Sequence, residues 1–278
     1  MQLAKRQLAW LTEKILADRA NAGSSSLSDL EWRRLDDYID QRTTHHKPLQ
    51  YILGTQPFYD LDILTRPPTL IPRWETEEWT ARLVDVLAVH WKQHKTKARR
   101  RILDVCTGSG CIGLGLAAHL APASTEILGV DIAPEAVDLA RANLARLRAQ
   151  LNNNDVQFEC QDIYDTRWLA RHLPTFDLVV ANPPYVTHDE YAALDPDVKL
   201  WEDRRALVAD QQGTHLHRHL IRSVAQHIPS ASPSPRLVME IGGEHQVSPL
   251  STCLETHGFE NIQVWNDLAG RARVILAS

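Results

Sequence analysis

From residue 102 onward the chain alternates short apolar runs, at 102–105, 127–132, 156–160, 178–181 and 237–241, with helical patterns between most of them. The runs read as buried strands. Buried strands alternating with helices predict an α/β protein whose parallel sheet is covered on both faces. The tail breaks the rhythm. Segments 262–265 and 273–276 are joined by a short loop holding Asp267 and Gly270, which predicts a terminal antiparallel hairpin and brings the count to seven strands.

The region before the alternation reads differently. Leu8, Leu11, Ile15 and Leu16 recur at helical spacing until Gly23 and a serine run end the pattern. Ser28 with Glu31 three residues on has the form of a capping box, opening a second helix that carries Leu35, Tyr38 and Ile39. Two short amphipathic helices cannot bury their own faces, so they are expected to dock on something larger or to form a small recognition module. Segments 50–53 and 61–64, separated by Gly54 and Pro57, predict a hairpin connector. A helix with Trp79, Leu83, Val86 and Leu87 follows, and then a basic stretch, 92–101, to which no site is assigned. Asn152 to Asn154 and the PSASPSP segment 229–235 are expected as surface loops. The division expected is a helical recognition region at 1–46, a hairpin connector at 47–72 and a catalytic domain at 73–278.

The densest chemistry follows the first sheet strand: Asp104-Val105-Cys106-Thr107-Gly108-Ser109-Gly110-Cys111-Ile112-Gly113. A glycine-rich loop between a strand and a helix lets backbone nitrogens approach a ligand at the helix start. Asp131, at the end of the next strand, is placed for ribose hydroxyls, so a nucleoside-containing cofactor is implied. Glycines alone leave nicotinamide and adenosylmethionine cofactors open. Asp104 favours S-adenosyl-L-methionine, because a carboxylate suits an ammonium and a sulfonium and repels a pyrophosphate. Asp162 is placed to accept from an adenine amino group, and Ile163 to pack on the ring.

Asn182-Pro183-Pro184-Tyr185 closes the fourth strand at the same carboxyl edge. The prolines stiffen the turn. An amide or amino nitrogen is a poor nucleophile because its lone pair is delocalised. Accepting both its hydrogens on the Asn182 side-chain oxygen and the Pro183 carbonyl would orient that lone pair, while Tyr185 stacks on the planar group and faces the methyl. No metal is called for. His215, His217 and His219 lie two apart, on different faces of a helix. This turn by itself leaves adenine, guanine and glutamine side chains open as substrates.

Composition removes other classes. The net charge is −5, from 30 basic and 35 acidic residues, so no global positive field exists to hold a polyanion. Cys106, Cys111, Cys160 and Cys253 form no CxxC pair, and reduced thiols are expected. No apolar run approaches the roughly 18 residues of a membrane helix, and the N-terminus lacks the apolar core of a secretory signal. Lys5 and Arg6 suit a transit peptide, but Glu13 and Asp18 follow at once, and a folded helix is expected there.

With these motifs in view, the chain resembles the release-factor glutamine methyltransferase family (HemK/PrmC) from about Pro48 to the C-terminus. The resemblance rests on NPPY together with Pro48-Leu49-Gln50-Tyr51-Ile52-Leu53-Gly54, Ile71-Pro72-Arg73-Trp74-Glu75-Thr76-Glu77, Met239-Glu240-Ile241-Gly242 and Asp267-Leu268-Ala269-Gly270-Arg271. It implies a Rossmann-like methyltransferase sheet and methyl transfer from S-adenosyl-L-methionine to the side-chain amide nitrogen of the Gly-Gly-Gln glutamine of a peptide-chain release factor. Asn182, Pro183, Pro184 and Tyr185 match the glutamine-holding residues, with Asn182, Pro183 and Tyr185 expected as catalytic. Thr107, Gly108, Ser109, Gly110, Asp131, Asp162 and Ile163 match cofactor contacts; Asp104, Cys106 and Asn182 complete the candidate cofactor set. Glu75, Glu77 and Glu240 are expected either at the pocket mouth or paired with neighbours such as Arg73.

Three departures stand out. Cys106 replaces a glycine usual in bacterial members, Trp74 replaces the proline of the PRPET-type segment as in fungal mitochondrial members, and the stretch before Pro48 is shorter than usual. The second departure points to the mitochondrial matrix, with the cytoplasm as the alternative. Two rival functions are methylation of an exocyclic amino group of a nucleic-acid base, which the net charge opposes, and a non-catalytic cofactor-bound assembly factor.

Overall fold

The computed structural model describes residues 2–19, 26–93, 98–228 and 234–278. Most of the serine run after Gly23, the middle of the basic stretch and most of the PSASPSP segment lie outside them. Among the described residues, no helix is long and apolar enough to cross a membrane, and all four cysteines are free.

In chain order the first elements are α1 (Gln2–Ala17), α2 (Asp29–Thr43), α3 (Leu49–Leu53), β1 (Thr55–Phe58), β2 (Leu61–Leu64) and α4 (Trp74–Gln93). The sheet region follows with β3 (Arg100–Val105), α5 (Cys111–His119), β4 (Thr125–Asp131), α6 (Pro134–Leu147), β5 (Asp155–Cys160), α7 (Thr166–His172) and β6 (Leu178–Ala181). It continues through α8 (His188–Ala193), α9 (Pro196–Trp201), the short turn α10 (Asp210–Gly213), α11 (His215–His227), β7 (Leu237–Glu240) and α12 (Glu244–Thr256), and ends with β8 (Gln263–Asn266) and β9 (Ala272–Ala277).

The seven-stranded sheet runs in the order β5-β4-β3-β6-β7-β9-β8, with β9 antiparallel to both neighbours and the other pairings parallel. All seven strands and the terminal hairpin match the sequence expectation. The chain winds outward from β3 through β4 to β5, then returns to β6 on the other side. The crevice between β3 and β6 is therefore the switch point, where open α/β sheets bind ligands. Successive side chains of β3 point to opposite faces. Ile102 joins a core with Leu83, Ile112 and Leu116 from α4 and α5, whereas Leu103 and Val105 join one with Leu220, Val224 and Leu254 from α11 and α12. Each such fully buried aliphatic side chain stabilises the fold by about 1.5–3 kcal/mol.

The connector departs from expectation. Residues 50–53 lie in the helix α3, opened after Pro48 and closed at Gly54, and the hairpin is β1 paired with β2. Leu49 and Ile52 pack with Leu11, Ile15 and Leu35 in a third apolar cluster, so the N-terminal core reaches past residue 46 into the connector. It docks on α9 through Arg42 to Asp197 at 3.3 Å and the Trp201 indole N–H donating to the His45 carbonyl at 2.9 Å. The three arginines of the basic stretch are paired at the opposite end of the sheet: Arg99 with Asp155, Arg100 with Asp177 and Arg101 with Glu126.

Candidate active site

Strand register assembles the site. Val105 pairs with Ala181 on one side and with Val130 on the other. The next residues, Cys106, Asn182 and Asp131, therefore emerge side by side from one edge, with Asp131 still the last residue of its strand. They border a cavity of about 390 Å³, the size class of small-molecule sites, whose wall also includes Thr107, Gly108, Ser109, Asp162, Ile163 and Pro184. Asp104, Gly110, Pro183 and Tyr185 are not part of that wall.

The glycine loop is braced from beneath. Gly110 has φ +82°, and a Cβ there would come within 2.7 Å of the Phe158 ring, so only glycine fits. Cys106 has φ +58°, a left-handed conformation that costs a non-glycine residue about 1–2 kcal/mol and accounts for the glycine expected there. Thr107 donates its hydroxyl to Asp104 Oδ2 at 2.6 Å, and the Gly113 N–H donates to the same oxygen at 3.1 Å. Asp104 thus acts differently from the expectation that it faces the cofactor. It shares the sheet face of Ile102, lies wholly buried under α5 with Oδ1 unpartnered, and burial pushes its carboxyl up to about 7.

Asp131 stands at the cavity, accepting from the Gly108 N–H at 2.9 Å and the Ala133 N–H at 3.0 Å. Each oxygen retains lone-pair capacity for a diol. Beyond it, exposed Ile132 and Tyr164 and buried Ile163 form an apolar wall. Asp162 accepts from the Tyr164 N–H at 2.9 Å, and the His219 Nε2–H donates to the Ile163 carbonyl at 2.9 Å. His217 instead donates from Nε2 to the Glu240 carbonyl at 2.8 Å, and burial lowers its pKa to about 4. His215 borders the cavity. The histidine trio thus has three separate destinations.

The other wall comes from the segment after the NPPY turn. The Val186 N–H donates to the Leu207 carbonyl and the Ala209 N–H to the Val186 carbonyl, folding 186–209 back over the cavity. Glu202 pairs with Arg73 at 2.6 Å, and Arg205 reaches Glu135 at the start of α6 at 2.7 Å. Arg73 is thereby paired with Glu202 rather than with Glu75, Glu77 or Glu240.

Beneath the turn is a polar cluster that the motifs did not disclose. Glu240 accepts from Thr76 Oγ1 at 2.6 Å, Trp79 Nε1 at 2.7 Å and Tyr185 Oη at 3.2 Å, and Asn182 Nδ2 donates to Thr76 Oγ1 at 3.2 Å. Burial raises the Glu240 pKa. Tyr185 is held by its hydroxyl on Glu240 and its ring lies against Gly242, outside the cavity wall where stacking was expected. Buried Gln246 donates to the carbonyls of Tyr185 and Gln212, both at 3.0 Å, and accepts from the Gly242 N–H at 2.8 Å. Thr76 and Glu240 sat in quoted motifs, where their separate roles had no local signal. Gln246, in a plain amphipathic helix, had none.

A carboxylate placed for a diol, an apolar wall for a purine and a cavity at the switch point fit S-adenosyl-L-methionine. Such a sheet with such a site defines an S-adenosyl-L-methionine-dependent methyltransferase. The methyltransferase small domain family matches residues 80–196. The probable MRF1 mitochondrial N(5)-glutamine methyltransferase mtq1 of Schizosaccharomyces pombe is 30% identical over 281 residues, 99% of this chain and 87% of its own length. The release factor glutamine methyltransferase of Koribacter versatilis is 34% identical over 246 residues, 88% of this chain and 79% of its own. The chain belongs to the release factor glutamine methyltransferase family. The N-terminal domain of human METTL16 shares the fold, with a TM-score of 0.53 at 16% identity over 98% of this chain and 93% of that one.

Proposed function

We propose that this protein methylates the side-chain amide nitrogen of the Gly-Gly-Gln glutamine in a peptide-chain release factor, in the mitochondrial matrix. The observation that carries the reading is the placement of Asn182 in the wall of the cavity bordered by the glycine loop and Asp131. Bound S-adenosyl-L-methionine supplies a methyl group on a sulfonium sulfur, electrophilic toward a nitrogen lone pair. Asp131 would hold the ribose hydroxyls, and Ile132, Ile163 and Tyr164 would pack on the adenine. Asn182 Oδ1, in the cavity wall, would accept one amide hydrogen of the substrate glutamine and the Pro183 carbonyl, in the same turn but outside that wall, the other; the lone pair would then face the methyl group, whose bond to sulfur breaks as its bond to nitrogen forms and nitrogen gives up one proton to water. Tyr185 acts by stiffening the turn through Glu240 rather than by stacking. The N-terminal helices grip the release factor, and the mitochondrial name of the S. pombe relative supports the location.

The test is mass spectrometry of release factor incubated with the purified protein and labelled S-adenosyl-L-methionine, with DNA and RNA oligonucleotides in parallel. One methyl on the Gly-Gly-Gln peptide and none on the oligonucleotides is expected. Equal labelling of nucleic acid overturns the assignment.

A further inference from the structure

An asparagine amide can present either its oxygen or its nitrogen to a cavity, and only the oxygen accepts hydrogens from an incoming amide nitrogen. The side chains behind Asn182 decide between the two. Glu240, 1% exposed, receives both Trp79 Nε1 at 2.7 Å and Thr76 Oγ1 at 2.6 Å on its Oε2. The indole N–H is a donor only, so Oε2 is an acceptor there. Thr76 has one hydroxyl proton, and the 2.6 Å contact to Glu240 uses it. What Thr76 offers Asn182, 3.2 Å away, is a lone pair. Asn182 must answer with Nδ2, which turns Oδ1 away from Thr76. A carboxylate, a hydroxyl and an amide thus form a directional chain in which each link polarises the next.

We infer that Thr76, oriented by Glu240, is a positioning residue that sets the amide polarity of Asn182 for methyl transfer. This rests on the glutamine methylation reading above. Thr76 comes from the first turn of α4 and Glu240 from the end of β7, so the device also ties the helix after the connector to the sheet at the catalytic turn.

The test compares Thr76→Val, which keeps the shape and removes the hydroxyl, with Thr76→Ser, which keeps the hydroxyl. The valine variant should lose at least about tenfold in kcat, with KM for release factor and calorimetric cofactor affinity within about twofold of wild type. The serine variant should recover most of that loss. If the valine variant does not fold, as read by thermal unfolding, Thr76→Ala against Thr76→Ser makes the same comparison. Valine with near-wild-type kcat, serine as impaired as valine, or a loss confined to cofactor affinity overturns the inference. Wild-type protein that methylates no release factor overturns the reading beneath it, and this inference falls with it.

Discussion

Asn182 and Asp104 show how differently two polar residues at one sheet edge are employed. Asn182 reaches the cavity wall while its nitrogen is tethered to Thr76, so its truncation acts on the nucleophile and leaves the glycine loop, Asp131 and the wall of Ile132, Ile163 and Tyr164 in place. Asn182→Ala should lower kcat by at least about a hundredfold and leave cofactor affinity within about twofold, read by steady-state kinetics and calorimetry. Asp104 is structural. Its folded pKa of about 7 lies above the roughly 3.9 of an exposed aspartate, so the folded state binds more protons between those values. The stability that the protonated form contributes is fully present below about pH 4 and is lost as pH rises through about 7. Asp104→Asn keeps an oxygen for Thr107 and Gly113 without the buried charge. Its Tm advantage over wild type should therefore grow from pH 5 to pH 8, measured by thermal unfolding.

Among the elements, the short turn α10 is the most constrained. Gln211, Gln212 and Gly213 all have positive φ, at 55°, 57° and 75°. A Cβ on Gly213 would lie 2.0 Å from the Tyr185 carbonyl oxygen and 2.4 Å from Gln246 Nε2. Gly213→Ala should destabilise the protein by more than about 2 kcal/mol in denaturant unfolding, through strain and overpacking together. It should lower kcat as well, because the displaced carbonyl belongs to the catalytic turn. The connector carries a second lesson. Residues 50–53 looked extended between proline and glycine, yet they form a helix because Leu49 and Ile52 find an apolar partner in α1 and α2. Tertiary burial overrode a weak local preference.

At the scale of the whole molecule, the N-terminal cluster of Leu11, Ile15, Leu35, Leu49 and Ile52 is separate from the two cores that cover the sheet. Ile15→Ala should cost about 2–4 kcal/mol, and that loss should stay local. Limited proteolysis should then cleave the N-terminal helices first. Calorimetric cofactor affinity should stay unchanged and KM for release factor should rise, whereas lost cofactor binding would show that the cluster supports the sheet instead.

The strands, the terminal hairpin, the glycine loop and the NPPY turn were legible in the sequence because each depends on contiguous residues: apolar runs make buried strands, and glycine and proline punctuate them. The edge shared by Cys106, Asp131 and Asn182 followed from those elements once alternation implied a parallel sheet. Tertiary structure alone decided which way side chains face and what lies behind them. Asp104 turned under α5 because strand residues alternate between faces and Ile102 had already taken that one. Thr76 lies 106 residues from Asn182 and 164 from Glu240, so no local pattern links them. Their contact exists because β6 and β7 are neighbours in the sheet and α4 packs across it, bringing a hydroxyl to the one amide whose direction the chemistry requires.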